Sequence, residues 1–168
     1  MDIKQLVDSI ATDVVERAQL NLGVVRTING KKRRRVASGS LQKGLSYKNL
    51  TRYNNPIIQF GVDSPELKNY ADVIEFGRRK GARQPPVEPI LKWMKIKGIR
   101  LRDKDGGFIK STEEKRKQVA WAISRSIGEN GIEGINYYGD ALKTVLEKRG
   151  EEFFAALGKE IEIRLNLK

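Results

Sequence analysis

Apolar residues recur at helical spacing along the start of the chain. Ile3, Leu6, Val7, Ile10 and Val14 fall three or four positions apart, and Ala18 continues the series. Residues at this spacing share one face of an α-helix, so the pattern predicts an amphipathic helix over residues 2 to about 22. Gly23 follows at a position where such a helix commonly ends.

The dipeptide Asn29-Gly30 predicts a tight reversal of the chain after this helix. Asn-Gly is the strongest two-residue signal for a β-hairpin, because both residues tolerate positive φ. Five adjacent cations follow: Lys31, Lys32, Arg33, Arg34 and Arg35. Like charges this close repel one another, so we expect a mobile basic loop or arm over residues 29–37.

Short helices and strands alternate from residue 38 to residue 109. Ser64-Pro65 marks one helix start, with serine as the cap and proline at the first helical position. A basic loop broken by glycine and proline is expected over residues 78–86. The full prediction comprises a short helix from Ser38 to about Leu45, strands at Leu45–Tyr53 and Ile57–Val62, helices at Leu67–Phe76 and Val87–Lys97, and a turn at Asp103–Gly107.

Two longer helices are predicted toward the C-terminus. Ser111-Thr112-Glu113-Glu114 has the capping-box pattern, with Ser111 as the cap of the first. Residues 128–134 should end that helix, and the second extends from near Tyr137 to about Leu157. Beyond Leu157, alternating apolar residues are typical of a strand, so helix and strand both stay open there. The inward face of the first helix is predicted to comprise Val119, Ala122, Ile123, Ser126 and Ile127.

Length and composition limit both the number of domains and the available chemistry. A chain of 168 residues, 39% of them hydrophobic and 32% charged, suits a single domain over 1–168. It contains no cysteine and no histidine. Disulfides, the usual zinc sites and the usual Ser-His-Asp and Cys-His catalytic sites are therefore excluded. No glycine motif for nucleotide binding occurs, and we predict neither a cofactor nor a metal.

Acidic residues form two patterns that are weak evidence for a functional site. Asp103-Lys104-Asp105-Gly106-Gly107 resembles a calcium loop superficially, but it lacks the third acidic position and the closing glutamate, which favours a simple turn. The pairs Glu113/Glu114 and Glu151/Glu152 are the candidates for an enzyme based on carboxylates. They are better interpreted as solvated charges on helices, so we predict that the protein is not an enzyme.

A formal net charge of +12 favours an acidic partner, such as nucleic acid or an acidic protein. No apolar run approaches the ~18 residues of a membrane-spanning helix, and the first residues lack the layout of a signal peptide. We therefore expect a protein used in a cytoplasm, or in a particle assembled there. The candidate contacts with DNA or an acidic protein are the run Lys31–Arg35 and a second cluster in the loop 78–86, Arg78, Arg79, Lys80 and Arg83.

Several motifs follow one another in a fixed order after the N-terminal helix and the turn into a short helix at Ser38–Leu45. They are Tyr70–Gly77, Trp93–Ile99, and Ala122–Ile127 followed by Gly131-Ile132. In this order they resemble the tail-completion or neck family of tailed bacteriophages, small proteins at the head–tail joint. Tyr70–Gly77 is similar to that family's Tyr-Ala-x-x-x-Glu-Phe-Gly, and Trp93–Ile99 to its Trp-x-x-x-Lys-Gly. Ala122–Ile127, followed by Gly131-Ile132, is similar to its Ala-x-x-Ile-x-x-x-Gly. The resemblance covers roughly residues 38 to 145.

Two parts of the chain depart from the family pattern. The run Lys31–Arg35 is not a feature of that pattern, and the segment Glu133–Tyr138 lacks the proline expected there. Both departures concern contacts with neighbouring proteins.

The resemblance implies an α+β fold, in which a small, mostly antiparallel sheet packs against the N-terminal helix and two or three further helices. It implies a structural virion protein without catalytic residues, located at the head–tail junction or tail. Its copies would form a six- or twelve-fold ring around the DNA channel. The implied partners are further copies of the chain and neighbouring portal, connector or tail proteins. DNA passing through the channel is a further candidate partner, and no membrane is implied.

Four residues are candidates for the contact between subunits: Tyr70, Glu75, Phe76 and Trp121. Trp121 lies off the predicted apolar stripe, and tryptophan is favoured at interfaces. For Phe76 the favoured interpretation is a place in the core, with Gly77 ending its helix; Trp93 is predicted in the core as well. In the adjacent pairs Tyr137-Tyr138 and Phe153-Phe154 side chains point ~100° apart on a helix, so one of each pair can leave the core.

A small basic nucleic-acid-binding protein is the alternative function. The net charge and the run Lys31–Arg35 favour it. Against it, the aromatic residues are not interleaved with basic ones as a base-stacking platform requires.

Overall fold

A computed structural model describes residues 3–28, 31–33, 38–52, 55–103 and 105–165, with their side chains except those of 28, 31, 33 and 159–165. In this part of the chain the strands form three separate antiparallel ribbons, β1 with β2, β3 with β4 and β5 with β6. The elements are, in order, α1 (Ile3–Gly23), β1 (Arg26–Ile28), β2 (Lys31–Arg33), α2 (Ser40–Lys43), β3 (Leu45–Asn49), β4 (Ile58–Val62), α3 (Pro65–Phe76), β5 (Gly77–Arg78), α4 (Val87–Ile96), α5 (Glu113–Asn130), β6 (Ile132–Glu133) and α6 (Tyr137–Leu165).

The protein is α+β, as predicted, but its short strands form separate ribbons instead of one sheet. The chain divides into two compact units, and the single domain over residues 1–168 stays a prediction. The first unit comprises residues 1–75 and 136–168, and the second comprises residues 76–135. The second unit is thus an insertion into the sequence of the first.

The first unit is built around the apolar face of α1. This helix packs mainly against α6 and also against β3. Its predicted stripe is buried, and α6 contributes Tyr137, Ala141 and Val145 to the same core. Burial of one such side chain stabilises a fold by roughly 1.5–3 kcal/mol. The buried α1 residues are Ile3, Leu6, Val7, Ile10, Ala11, Val14, Ala18, Asn21 and Leu22.

Polar contacts fix the register of α1 against α6. The buried Asn21 amide donates to the carbonyl oxygen of Tyr137 at 3.0 Å. Toward the other end of α1, the Arg149 guanidinium donates to Ser9 and forms an ion pair with Asp13. These contacts link positions more than a hundred residues apart, so they join the two sequence segments of the first unit.

The second unit has its own small core between α4 and α5. Ile90 and Met94 of α4 are buried with Leu101 and with Ala120 of α5. Partly buried apolar side chains surround them: Val87, Leu91, Ile99, Ile109, Val119, Ile123 and Ile127. Between the two helices the chain reverses at the turn predicted over 103–107, where Arg102 pairs with Phe108 in an antiparallel bridge.

The helix predictions are confirmed within a few residues for α1, α2, α3 and α4. The predicted hairpin is also confirmed, since Arg26–Ile28 pairs with Lys31–Arg33. Lys31–Arg33 therefore forms a strand where a loop was expected, because pairing with β1 satisfies its backbone hydrogen bonds. Residues 29, 30 and 34–37 lie outside the described part of the chain.

Helix α5 differs from its prediction in three respects. Thr112, not Ser111, is the cap, and its hydroxyl accepts from the Lys115 amide. The residues buried along the helix are Ala120, Ser124 and Gly128, whereas Ala122 and Ser126 are exposed. Gly128 continues the helix instead of breaking it, and the end comes at Gly131, with φ 73°. Helix α6 likewise continues through Gly150 and Gly158 to Leu165, so the open C-terminal segment is helical up to that residue.

Candidate functional site

Glu75 is a buried carboxylate that holds the start of α6. Its two oxygens accept from the amides of Tyr138 and Gly139 at 2.9 and 3.0 Å, and its carbonyl oxygen accepts from Asn136. The first amides of a helix have no partner within the helix, so the carboxylate acts as a cap supplied by a remote segment. The side chain is only 8% exposed. Glu75 was predicted to contact another subunit. In the structure its carboxylate instead accepts the hydrogen bonds from Tyr138 and Gly139, which belong to the same compact unit.

Phe76 is the most exposed large apolar side chain in the described part of the protein, at 78%. The prediction that it belongs to the core is therefore wrong. Helical phase explains the error, because Ala71, Ile74 and Glu75 fill the buried face of α3 at its C-terminal end. The next position along the helix consequently points away from the core.

Gly77 holds the backbone immediately after Phe76. It has φ 80° and pairs with Glu133 in the β5–β6 ribbon. A Cβ atom here would collide with the carbonyl oxygen of Ile132 and the amide nitrogen of Gly134. The predicted helix end at Gly77 is confirmed. Its close approach to β6 is additional and requires glycine on steric grounds.

In the aromatic pair of the first unit Tyr137 is buried and Tyr138 is half-buried, and this burial raises the pKa of both. Tyr137 is 1% exposed, and Tyr138 donates from its hydroxyl to the carbonyl oxygens of Ser46 and Gly61. Burial raises the pKa of Tyr138 to about 12 and raises that of Tyr137 as well. In this pair neither residue leaves the core fully; in the second pair, Phe154 does, at 71% exposure.

The other two candidates for the subunit contact are both accessible. Tyr70 on α3 is 39% exposed, and Trp121 on α5 is 52% exposed. The prediction that Trp121 lies off the apolar stripe is confirmed. Trp121 lines a cleft of ≈400 Å³ in the second unit together with Val87, Glu88, Leu91, Lys117 and Gln118. Trp93 was predicted in the core but is 39% exposed, because Met94 and Ile90 occupy the inward face of α4.

The structure describes part of the first basic cluster. Lys31, Lys32 and Arg33 form β2, and the Lys32 side chain is exposed. Arg34 and Arg35 lie outside the described residues. In the neighbouring strand, the Arg26 guanidinium reaches Asp140 at 3.7 Å.

The second basic cluster lies on an irregular segment that is tied to α5. Arg79, Lys80 and Arg83 are exposed, whereas Arg78 is half-buried and donates to the carbonyl oxygen of Arg83. The Gly81 amide donates to Gly128 at 2.9 Å, and the Ser124 hydroxyl donates to Pro85 at 2.6 Å. A flexible loop was expected, but these bonds hold its backbone against the helix.

An arginine pair stacked on Phe108 is the feature that the sequence did not reveal. The guanidinium carbons of Arg100 and Arg102 lie 3.9 and 4.5 Å from the centroid of the Phe108 ring. The only sequence signal is the proximity of Phe108 to two arginines across a predicted turn. That signal did not suffice to predict the stacking.

Two further features concern metal ions and membranes. Among the described residues, no acidic side chains cluster as a metal site would require. No described helix is long and apolar enough to cross a bilayer.

Comparisons with known proteins give no match. No family model matches the chain, and no curated protein or solved structure matches it at a significant level.

Proposed function

We propose that this protein is a structural subunit of a tailed bacteriophage, whose copies form a ring around the DNA channel at the head–tail junction. The role is geometric and requires no catalysis. Identical subunits make head-to-tail contacts, and these contacts close into a ring when the rotation between subunits is a whole fraction of a turn. The support comes from the order of the motifs between residues 38 and 145 and from one structural observation.

That observation is the exposed Phe76 within the motif Tyr70–Gly77. Full burial of a phenylalanine side chain stabilises a protein by roughly 1.5–3 kcal/mol relative to leaving it in water. At 78% exposure Phe76 gains little of this stabilisation. Single exposed apolar residues are common on soluble proteins, so exposure alone would carry little weight. Phe76 differs because its backbone is held on both sides.

The residues that flank Phe76 hold the backbone from which its side chain projects. Glu75 before it is bonded to the start of α6, and Gly77 after it is paired with Glu133. An apolar anchor that is already held in place loses little conformational entropy on binding. This arrangement suits a residue that inserts into a neighbouring subunit, as the aromatic anchors of interfaces do.

The cleft beside Trp121 offers a second apolar surface for such a contact. Its lining is mostly apolar, with Val87 and Leu91 on one side and Trp121 on the other. Arg125 lies over the Trp121 ring at 5.8 Å and pairs with Glu129, so the cations next to this surface are partly neutralised. We assign the cleft and Phe76 to subunit contacts in the proposed ring.

The proposal is tested by measuring the mass of the purified protein by light scattering after size exclusion, in moderate and in high salt. We expect a discrete oligomer that survives high salt, because apolar burial is not screened by ions. Phe76→Ser should shift the protein to the monomer at the same concentration.

Phe154→Ser is the matched control. Phe154 is similarly exposed, at 71%, but lies outside the motifs that carry the resemblance, so its replacement should leave the oligomer intact. A wild-type chain that stays monomeric in both salts would contradict self-assembly. An oligomer that is equally sensitive to both substitutions would remove the special role of Phe76.

A further inference from the structure

The two units differ in charge. Residues 76–135 contain fifteen basic and seven acidic side chains, a net charge of +8, whereas the remainder of the chain has eighteen and fourteen, a net charge of +4. Outside the run Lys31–Arg35, the first unit is therefore close to neutral. The positive charge of the second unit is distributed over its whole length. A partner of the basic hairpin in the first unit would therefore not account for it.

Within the second unit, the turn between α4 and α5 presents two organised cations. Arg100 and Arg102 both lie over the ring of Phe108. Their guanidinium carbons are therefore no more than 8.4 Å apart, the sum of 3.9 and 4.5 Å. The antiparallel bridge between Arg102 and Phe108 holds the two strands of the turn together.

This stacking prepares the arginines for an anion in two ways. A long side chain that moves freely in water loses rotamer entropy when it binds a ligand. Contact with the ring already restricts the two arginines, so less entropy is lost when the anion binds. A cation over a ring keeps N–H groups that can donate to an anion; Arg102 uses one of its own for the carbonyl oxygen of Gly106, at 3.4 Å, which holds this side chain on the turn. Among the described residues, no carboxylate lies within ion-pair distance of Arg100 or Arg102.

The two acidic side chains of the turn do not cancel this pair. Asp103 accepts from the Gly107 amide at 2.6 Å, so its carboxylate stabilises the turn. Asp105 is exposed at the tip. Over residues 97–110 there are five basic side chains against these two, a net charge of +3.

We propose that this turn, through Arg100 and Arg102 held on Phe108, binds the phosphodiester backbone of duplex DNA. Duplex DNA carries one charge per ~1.7 Å of its axis, so two guanidinium groups no more than 8.4 Å apart can each reach a phosphate of the same duplex. Each guanidinium offers a planar fork that matches a phosphate in bidentate geometry. Contacts to phosphates carry no sequence information, so binding is independent of sequence.

The inference does not depend on ring formation. It concerns the free chain, and the observations behind it involve neither Phe76 nor the cleft beside Trp121. Failure of either proposal would therefore leave the other standing.

The experiment measures the affinity of the purified protein for a labelled duplex of about 20 base pairs by fluorescence anisotropy, over a range of salt concentrations. Arg100→Gln with Arg102→Gln should weaken binding about tenfold and reduce the slope of log affinity against log salt by about 1.8, or about 0.9 for each phosphate that is no longer neutralised. Phe108→Leu should weaken binding about two- to fivefold without any change in charge.

A double substitution in the first unit separates local from global electrostatics. Lys43 and Lys48 are exposed, and replacing both by glutamine lowers the net charge as much as the arginine double substitution does. The control should retain most of the affinity of the wild-type protein. Circular dichroism checks that every variant keeps its helical content.

Three outcomes would overturn the proposal. The first is an absence of duplex binding even in low salt. The second is an equal loss of affinity in the lysine and arginine variants, which would assign binding to net charge alone. The third is binding of polyglutamate as tightly as DNA with the same dependence on Arg100 and Arg102, which would point to an acidic protein as the partner.

Discussion

At the scale of single residues, Glu75 connects segments that are distant in sequence. Its carboxylate serves two amides of α6, 63 and 64 positions further along the chain. Replacing the carboxylate with an amide keeps one acceptor oxygen and removes the charge, whereas alanine leaves both amides buried without a partner. The cost of an unsatisfied buried donor is about 1–3 kcal/mol.

We predict that Glu75→Ala lowers the free energy of unfolding by about 2–4 kcal/mol and Glu75→Gln by about 1–2 kcal/mol. Urea unfolding followed by circular dichroism measures both. Glu147→Gln on the exposed face of α6 is the control for loss of charge and should change stability by less than about 0.5 kcal/mol. Equal effects of alanine and glutamine would show that hydrogen bonding by Glu75 is not what stabilises the fold.

At the scale of elements, the contact between α5 and the basic segment after β5 depends on small residues. Ser124 is 2% exposed and donates to the carbonyl oxygen of Pro85. At Gly128, a Cβ atom would lie 2.8 Å from the Gln84 side chain and 3.2 Å from the Ala82 carbonyl oxygen. The segment therefore lies close to the helix because neither position carries a large side chain.

We predict that Ser124→Ala loosens this segment while α5 stays folded. Loss of one hydrogen bond worth about 1 kcal/mol should speed exchange of the Gly81 amide about fivefold, as measured by hydrogen–deuterium exchange. Ser126→Ala, on the exposed side of the same helix, should leave this exchange unchanged. Unaltered protection in Ser124→Ala would contradict the assigned role of the serine.

The same small residues explain what could not be predicted from the sequence. Helices α1, α3 and α4 have local signals, namely apolar spacing, a serine-proline start and terminal glycines, and these were predicted closely. The buried face of α5 was not predicted. Ala120, Ser124 and Gly128 carry no strong hydrophobic signal, and they are buried because other segments of the second unit pack on them. Phe76 and Trp93 were misassigned for the converse reason: aromatic character suggests a core, whereas helical phase places both outside it.

At the scale of the whole molecule, the candidate surfaces fall into apolar and basic sets. Phe76 and the cleft at Trp121 are apolar. The strand Lys31–Arg33, the segment at Arg79–Arg83 and the turn at Arg100–Arg102 are basic. Residue types and their order could be predicted from the sequence. The sequence could not predict which of these residues are held rigidly, because rigidity depends on hydrogen bonds between distant segments, such as those of Glu75 and Ser124.

The burial of Tyr137 and Tyr138 predicts how the first unit responds to alkali. In the unfolded chain a tyrosine ionises near pH ~10, but in the folded protein burial raises the pKa of Tyr138 to about 12 and raises that of Tyr137 too. The unfolded state thus releases these protons first as pH rises. The contribution of Tyr138 is complete below pH ~10 and is lost progressively between about 10 and 12. That of Tyr137 is likewise complete below pH ~10 and is lost as the pH rises further.

We therefore predict a cooperative alkaline transition in which tyrosinate absorbance and loss of helical circular dichroism coincide for two of the five tyrosines. Tyr138→Phe should halve the tyrosinate amplitude that accompanies unfolding. If all the tyrosinate signal developed while the helical signal remained intact, ionisation of the buried pair would not be coupled to the fold. The burial of these two rings would then make no contribution to the dependence of stability on pH.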